Sequence, residues 1–280
     1  PEPTPAPSTT LFNKSVLVGT LDPDTYDRDS QYPTWDDTDG DCYSNRHEIL
    51  IAQHIDDDDS HPLRFREDNE CLVTSGKWYD PYDDVYYYSP ENSAIHIDHV
   101  VALSEAHNSG AYEFTSTEKR TFANTGNKVS GTLPETSHGF LAVGAASNQS
   151  KWAYDPTEWM PSNTDYHCTY LKKWVEVKVI NELYFDQEEY DFIKNEEANC
   201  DDSPLPELPP NTENTYIVTV DATGNYYYID GQENKDLTLQ RGHTYEFDIS
   251  SFSGHPFRIS DMNDGTHSGG DTYTNGITIG

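Results

Sequence analysis

The segment Ile95-His96-Ile97-Asp98-His99-Val100-Val101-Ala102-Leu103 alternates apolar and polar side chains, which predicts a strand with one polar face. A later segment, Gly139-Phe140-Leu141-Ala142-Val143-Gly144-Ala145-Ala146-Ser147-Asn148-Gln149-Ser150-Lys151, reads as a short returning strand followed by a helix. Ser147 is the expected N-cap of that helix, with Asn148 and Lys151 in its opening turns. Two strands and a helix thus carry Asp98, His99, Asn148 and Lys151.

These residue types suit hydrolysis of a phosphodiester. The Asp98 carboxylate and the Asn148 carbonyl are hard oxygen ligands, and two protein ligands leave positions for water and phosphate oxygens, as Mg²⁺ prefers (Mn²⁺ being its stand-in). A neutral histidine at position 99 can take a proton from an attacking water near neutral pH. Lys151, about one helical turn past Asn148, is placed to meet a substrate phosphate. His96 shares the strand face of Asp98 and is a candidate phosphate contact, with a structural role as its rival. Arg46 and Arg120 are candidate phosphate contacts too, with salt bridging in so acidic a chain as the competing reading.

The chain has 280 residues, 50 acidic against 17 basic, for a formal net charge of -33. Such a charge argues against a generic nucleic-acid binder, because polyphosphate is repelled by an anionic surface. Its distribution changes that reading. Residues 96–151 carry five acidic and four basic side chains and are almost neutral. A site for an anionic ligand is expected there, and the remaining acidity reads as adaptation to salt. No apolar run reaches the roughly 18–20 residues of a membrane span.

Four cysteines, Cys42, Cys71, Cys168 and Cys200, form no CxxC pair and predict two disulfides in an exported chain. Residues 165–182 read as a helix with Leu171, Trp174, Val175 and Val179 on one side. Asp186 and Glu189 form a capping box that opens a second helix towards Asn199. Cys168 and Cys200 lie at similar distances from the turn at 182–187, so an antiparallel pair of helices brings them to one level. That pairs Cys168 with Cys200, and hence Cys42 with Cys71.

Residues 1–10 are a Pro/Thr-rich stalk, and residues 11–200 form the first domain. The prolines of 201–214 mark a linker. Residues 215–280 are β throughout, with runs at 216–220, 226–229, 237–239, 244–249 and 256–259. Asp37, Asp39, Asp41 and Glu48 have the spacing of a candidate Ca²⁺ loop, although Cys42 stands where that loop needs glycine. Asn13-Lys14-Ser15 and Asn148-Gln149-Ser150 are glycosylation sequons, of which only Asn13 is a compatible acceptor if Asn148 serves the site.

Asp98-His99-Val100-Val101 and Asn148-Gln149-Ser150-Lys151 resemble the HNH nucleases, which have a ββα-metal fold. A wider set resembles a secreted bacterial and archaeal branch of that family over roughly residues 20–200. It includes Tyr26-Asp27-Arg28, Trp35-Asp36-Asp37-Thr38-Asp39-Gly40-Asp41-Cys42, Asn45-Arg46, Asp80-Pro81-Tyr82, Phe122-Ala123-Asn124 and Asp155-Pro156-Thr157-Glu158-Trp159. The resemblance implies His99 as general base and Asp98 and Asn148 as metal ligands. No histidine follows Asn148 on the next turn, which favours a single Mg²⁺-like ion over a zinc or nickel site.

The C-terminal residues Tyr226–Gly231, Arg241–Tyr245 and Gly254–Ile259 resemble cupredoxin-like β-sandwich modules. His255 matches a copper ligand of that fold, but no cysteine follows Cys200, so no copper is expected. The sequence stops at Gly280 before later strands of such a fold, so the module reads as a truncated adhesion or assembly domain. The expectation is an extracellular, metal-dependent endonuclease of α+β fold, cutting DNA, with RNA as a second substrate and little sequence specificity. The rival is a surface or filament-forming protein that keeps the fold without its activity. It would self-associate through its C-terminal domain.

Overall fold

The structure is a computed structural model. It describes residues 9–19, 25–33, 35–37, 42–55, 61–66, 69–88, 94–129, 137–201, 203, 205, 212–220, 227–229, 232–233 and 244–248. The chain divides into two compact units, Pro1–Pro209 and Pro210–Gly280, close to the expected break.

In chain order the first unit runs β1 (Thr10–Leu11), β2 (Lys14–Ser15), β3 (Leu17–Val18), α1 (Arg28–Gln31) and α2 (Asn45–Ala52). Then follow β4 (Arg64–Arg66), β5 (Asn69–Ser75), β6 (Trp78–Asp80), β7 (Val85–Tyr87), β8 (Ile95–His99) and α3 (Leu103–Asn108). It closes with α4 (Ser116–Thr125), β9 (Phe140–Gly144), α5 (Ala145–Lys151), α6 (His167–Ile180), β10 (Tyr184–Phe185) and α7 (Gln187–Glu196). Helices and short strand pairs make this unit α+β.

The antiparallel ribbon β8–β9 organises the unit. Its register pairs Ile95 with Gly144, Ile97 with Ala142, Asp98 with Leu141 and His99 with Phe140. Cross-strand partners share a face, and neighbours along a strand do not. Ile95, Ile97, Phe140 and Ala142 belong to a core with Ile49, Leu50 and Ile51 of α2 and Trp78 of β6. Leu141 and Val143 belong to a second core with Tyr170, Leu171, Trp174 and Val175 of α6. The expected polar face of β8 is therefore not a solvent face. Asp98 is buried beneath α5, with Lys151 and Tyr82 packed on its carboxylate.

α5 starts as soon as β9 ends. Its N-cap is Gly144, not Ser147, which lies inside the helix and donates to Asp83. Sequence pointed to Ser147 because serine is a favoured cap. Packing overrides that preference: a Cβ on Gly144 would come 2.2 Å from the Tyr87 hydroxyl, and the Gly144 N–H donates to Asp80.

α6 and α7 form the expected pair. The capping box is present: the Asp186 carboxylate accepts from the Glu189 N–H, and Glu189 accepts from the Asp186 N–H. Fully buried Lys178 donates to Glu105 of α3 and to Glu189, tying three helices together. Both disulfides, Cys42–Cys71 and Cys168–Cys200, pair as the helix geometry required. Cys168 and Cys200 are 32 positions apart, and a loop of that length is worth roughly 3–4 kcal/mol in the chain-entropy account. The double substitution of Cys168 and Cys200 by serine should lower the unfolding free energy by about that amount in a urea titration.

The second unit contains β11 (Thr212–Val220), β12 (Tyr227–Ile229), β13 (Gln232–Glu233) and β14 (Thr244–Asp248). They form a mixed sheet in the order β13-β12-β11-β14, with β11 and β14 parallel. β11 begins at Thr212, so the linker is shorter than 201–214, since no proline lies between Pro210 and Val220 to prevent pairing. The expected runs at 237–239 and 256–259, and His255, lie outside the described residues.

Candidate active site

His99 ends β8 on the α2 side of the ribbon. Its ring stacks on Trp35, with centroids 5.3 Å apart and planes 18° apart, and meets Phe140 edge-on at 4.9 Å. Nε2 lies 2.9 Å from the Ala123 carbonyl of α4. A carbonyl only accepts, so Nε2 carries the hydrogen and Nδ1 keeps the lone pair. Nδ1 makes no hydrogen bond among the described residues. Burial drives the ring's pKa down to about 3, against the Ala123 bond, and the charges of Arg28 and Lys151 push the same way. The ring is held neutral, in one tautomer, by three elements distant in sequence.

His47 on α2 behaves similarly, with burial lowering its pKa to about 4. Unfolded, both rings take a proton near pH 6.5. Between that value and the folded values the unfolded chain binds more protons, so acid favours unfolding. This part of the stability is present above about pH 6.5 and is lost as the pH falls towards 4. The melting temperature should therefore drop across that interval, and His47→Gln should flatten the slope. An unchanged slope in that variant would show that His47 is not buried neutral.

Asp98 points to the opposite side, into the α6 core. Its Oδ1 accepts from the Lys151 ammonium at 3.0 Å and its Oδ2 from the Tyr82 hydroxyl at 2.7 Å. Lys151 also donates to the His99 carbonyl at 2.8 Å and is completely buried. Burial raises the Asp98 pKa, opposed by Lys151 and Tyr82. Asn148 is half-buried on α5, and its amide nitrogen donates to Nδ1 of His96 at 3.1 Å.

Several sequence expectations change here. Lys151 does not face a substrate, because its ammonium neutralises Asp98 beneath the surface. Both Asp98 oxygens accept, from Lys151 and Tyr82, while Asn148 spends its amide nitrogen, not its carbonyl oxygen, on His96, two residues before Asp98 on β8. With its charge balanced by the Lys151 ammonium, Asp98 as placed here does not fit a divalent ion. Among the described residues there is no group of three or more His, Cys, Asp or Glu able to hold a metal. His96 accepts from the Asn148 amide at Nδ1, which anchors it to α5 and places its ring hydrogen on Nε2. Arg120 forms an ion pair with Asp36 at 2.6 Å, as the competing reading held, and Arg46 donates to the Ile95 carbonyl. In the calcium-like segment, Asp37 accepts from the Cys42 N–H and Glu48 is buried on α2. Asp39 and Asp41 lie outside the described residues.

Trp35, Tyr82, the Ala123 carbonyl and Arg28 were not assigned roles from sequence. Each sat inside a motif of the resemblance, which was the available signal. Arg28 is exposed on α1, next to Tyr26, and its charge is felt at His99.

Among known proteins, an uncharacterized secreted protein of Arthroderma benhamiae is 34% identical over 192 residues, covering 64% of this chain and 84% of the other. No family model matches, and no solved structure does. Two disulfides agree with an extracellular setting. At that identity and coverage, the chain belongs to the family of this secreted protein and is itself extracellular.

Proposed function

We propose that the first unit is an HNH-type phosphodiesterase acting on nucleic acid. The observation that carries this reading is the state of His99: neutral, with Nε2–H spent on Ala123 and Nδ1 retained as the basic nitrogen. Water adds to phosphorus and gives its proton to Nδ1. The P–O3′ bond breaks, and the departing oxygen is protonated from solvent. Ala123 holds the ring in place and shares the charge that it acquires. A ring with a pKa near 3 is a weak base at rest, but the negative charge of a bound phosphodiester raises it. Arg28, exposed on α1 and with its charge acting on the ring, is the proposed phosphate contact.

The metal requirement belongs to the proposal as a question of rearrangement. An ion could reach Asp98 only if Lys151 released it, so no chemical step is assigned to an ion here. The test is nicking of supercoiled plasmid by the purified chain, with Mg²⁺, Mn²⁺ or chelator. Absence of nicks under all three conditions would refute the reading.

A second reading rests on a different observation. Asp98 is sealed by Lys151 and Tyr82, and faces away from His99. That suits a surface or assembly protein whose ββα unit has become scaffold, with the C-terminal sheet as its contact module. An inactive chain that self-associates reversibly in sedimentation experiments would favour it.

A further inference from the structure

α5 ends abruptly after Lys151, and the next residue, Trp152, has φ +48° and ψ -121°. That backbone region suits glycine; a bulky side chain there is a strained outlier. The strain is enforced from both sides. Lys151 is locked on Asp98 and the His99 carbonyl, and the N–H groups of Trp152 and Tyr154 donate back to Asn148 and Lys151. Trp152 is 71% exposed, more than any other large hydrophobic among the described residues, and belongs to neither core. Among the described residues its ring contact is Tyr154, perpendicular at 5.6 Å, and most of the indole surface stays open to solvent.

Resting on the phosphodiesterase reading, we propose that Trp152 is a stacking platform for an unpaired nucleobase, so that the favoured substrate is single-stranded or frayed nucleic acid. The platform lies one helical turn beyond Asn148 and directly follows the lysine that contacts the His99 backbone. In sequence it directly follows the near-neutral stretch 96–151 of an otherwise acidic chain, with Asp155 and Glu158 on its other side. A base inside a duplex shows no face to such a ring; an unpaired one does.

The test measures anisotropy of labelled dT12 and of a 12-base-pair duplex, in chelator and about 1 M NaCl. Repulsion is then screened to a few ångströms, while stacking persists. The full chain is compared with Trp152→Gly and Trp152→Phe, and the melting temperature of each is recorded. The expected result is dT12 affinity lower by roughly 5- to 150-fold in Trp152→Gly, largely kept in Trp152→Phe, with duplex binding hardly changed. Because glycine relieves the strained backbone, Trp152→Gly should melt no lower than the parent. Equal dT12 affinity in Trp152→Gly overturns the platform, as does a clear fall in its melting temperature, which would make Trp152 a packing residue. Trp152-dependent binding of an oligosaccharide in place of dT12 overturns it as well. The two readings fail separately: Trp152-dependent binding without plasmid nicking removes only the nuclease, and nicking with unaltered dT12 binding removes only the platform.

Discussion

His99→Ala should abolish plasmid nicking, with the rate falling by about 10²–10⁴ if the ring is the general base. The variant loses Nδ1, the nitrogen with a free lone pair, and opens a gap beside Trp35 and Phe140. Loss of activity through misfolding is separated by His99→Gln, which can still donate to the Ala123 carbonyl yet cannot act as a base. Both variants should be inactive, and the glutamine one should keep near-parental melting behaviour. Parental nicking by either variant would remove His99 from the chemistry and, with it, the HNH-type mechanism proposed for this unit.

The second large effect concerns stability. Lys151→Met should destabilise the first unit by about 3–5 kcal/mol, because it strands the buried Asp98 carboxylate without its cation. Tyr82 alone would then remain as its donor. Adding Asp98→Asn to Lys151→Met should restore much of the loss, since a neutral amide still accepts from Tyr82 and carries no buried charge. Urea titration followed by far-ultraviolet circular dichroism reads both variants. A cost below about 1 kcal/mol for Lys151→Met would mean that the pair does not hold α5 to β8.

Much of this protein follows from local spacing. Alternation from Ile95 marks β8, although its last four residues leave the strand and lead into α3. Helical spacing places Leu171, Trp174 and Val175 in one core, and the Asp186/Glu189 box starts α7 where such a box should. The disulfides followed because two helices of known rise and a short turn leave little freedom. Each of these rests on interactions between residues a few positions apart, which side-chain chemistry and helix or strand geometry set directly.

The site was legible only as a set of residue types. Sequence named Asp98, His99, Asn148 and Lys151, but not which of them would meet. Tertiary packing turns His99 towards Trp35 and the Ala123 carbonyl, and Asp98 towards Tyr82 and Lys151. A strand that carries both residues in succession must send them to opposite faces, and what covers each face is decided by helices far away in the chain. The burial of Lys151 has the same origin. A lysine near a helix end ordinarily reaches solvent, and only a carboxylate already sealed beneath α5 makes the inward position favourable. Spacing along the chain was enough for β8, β9, α6, α7, the disulfides and the chemical inventory; which groups are paired or exposed came from the fold, because burial and partners distant in the chain set those properties.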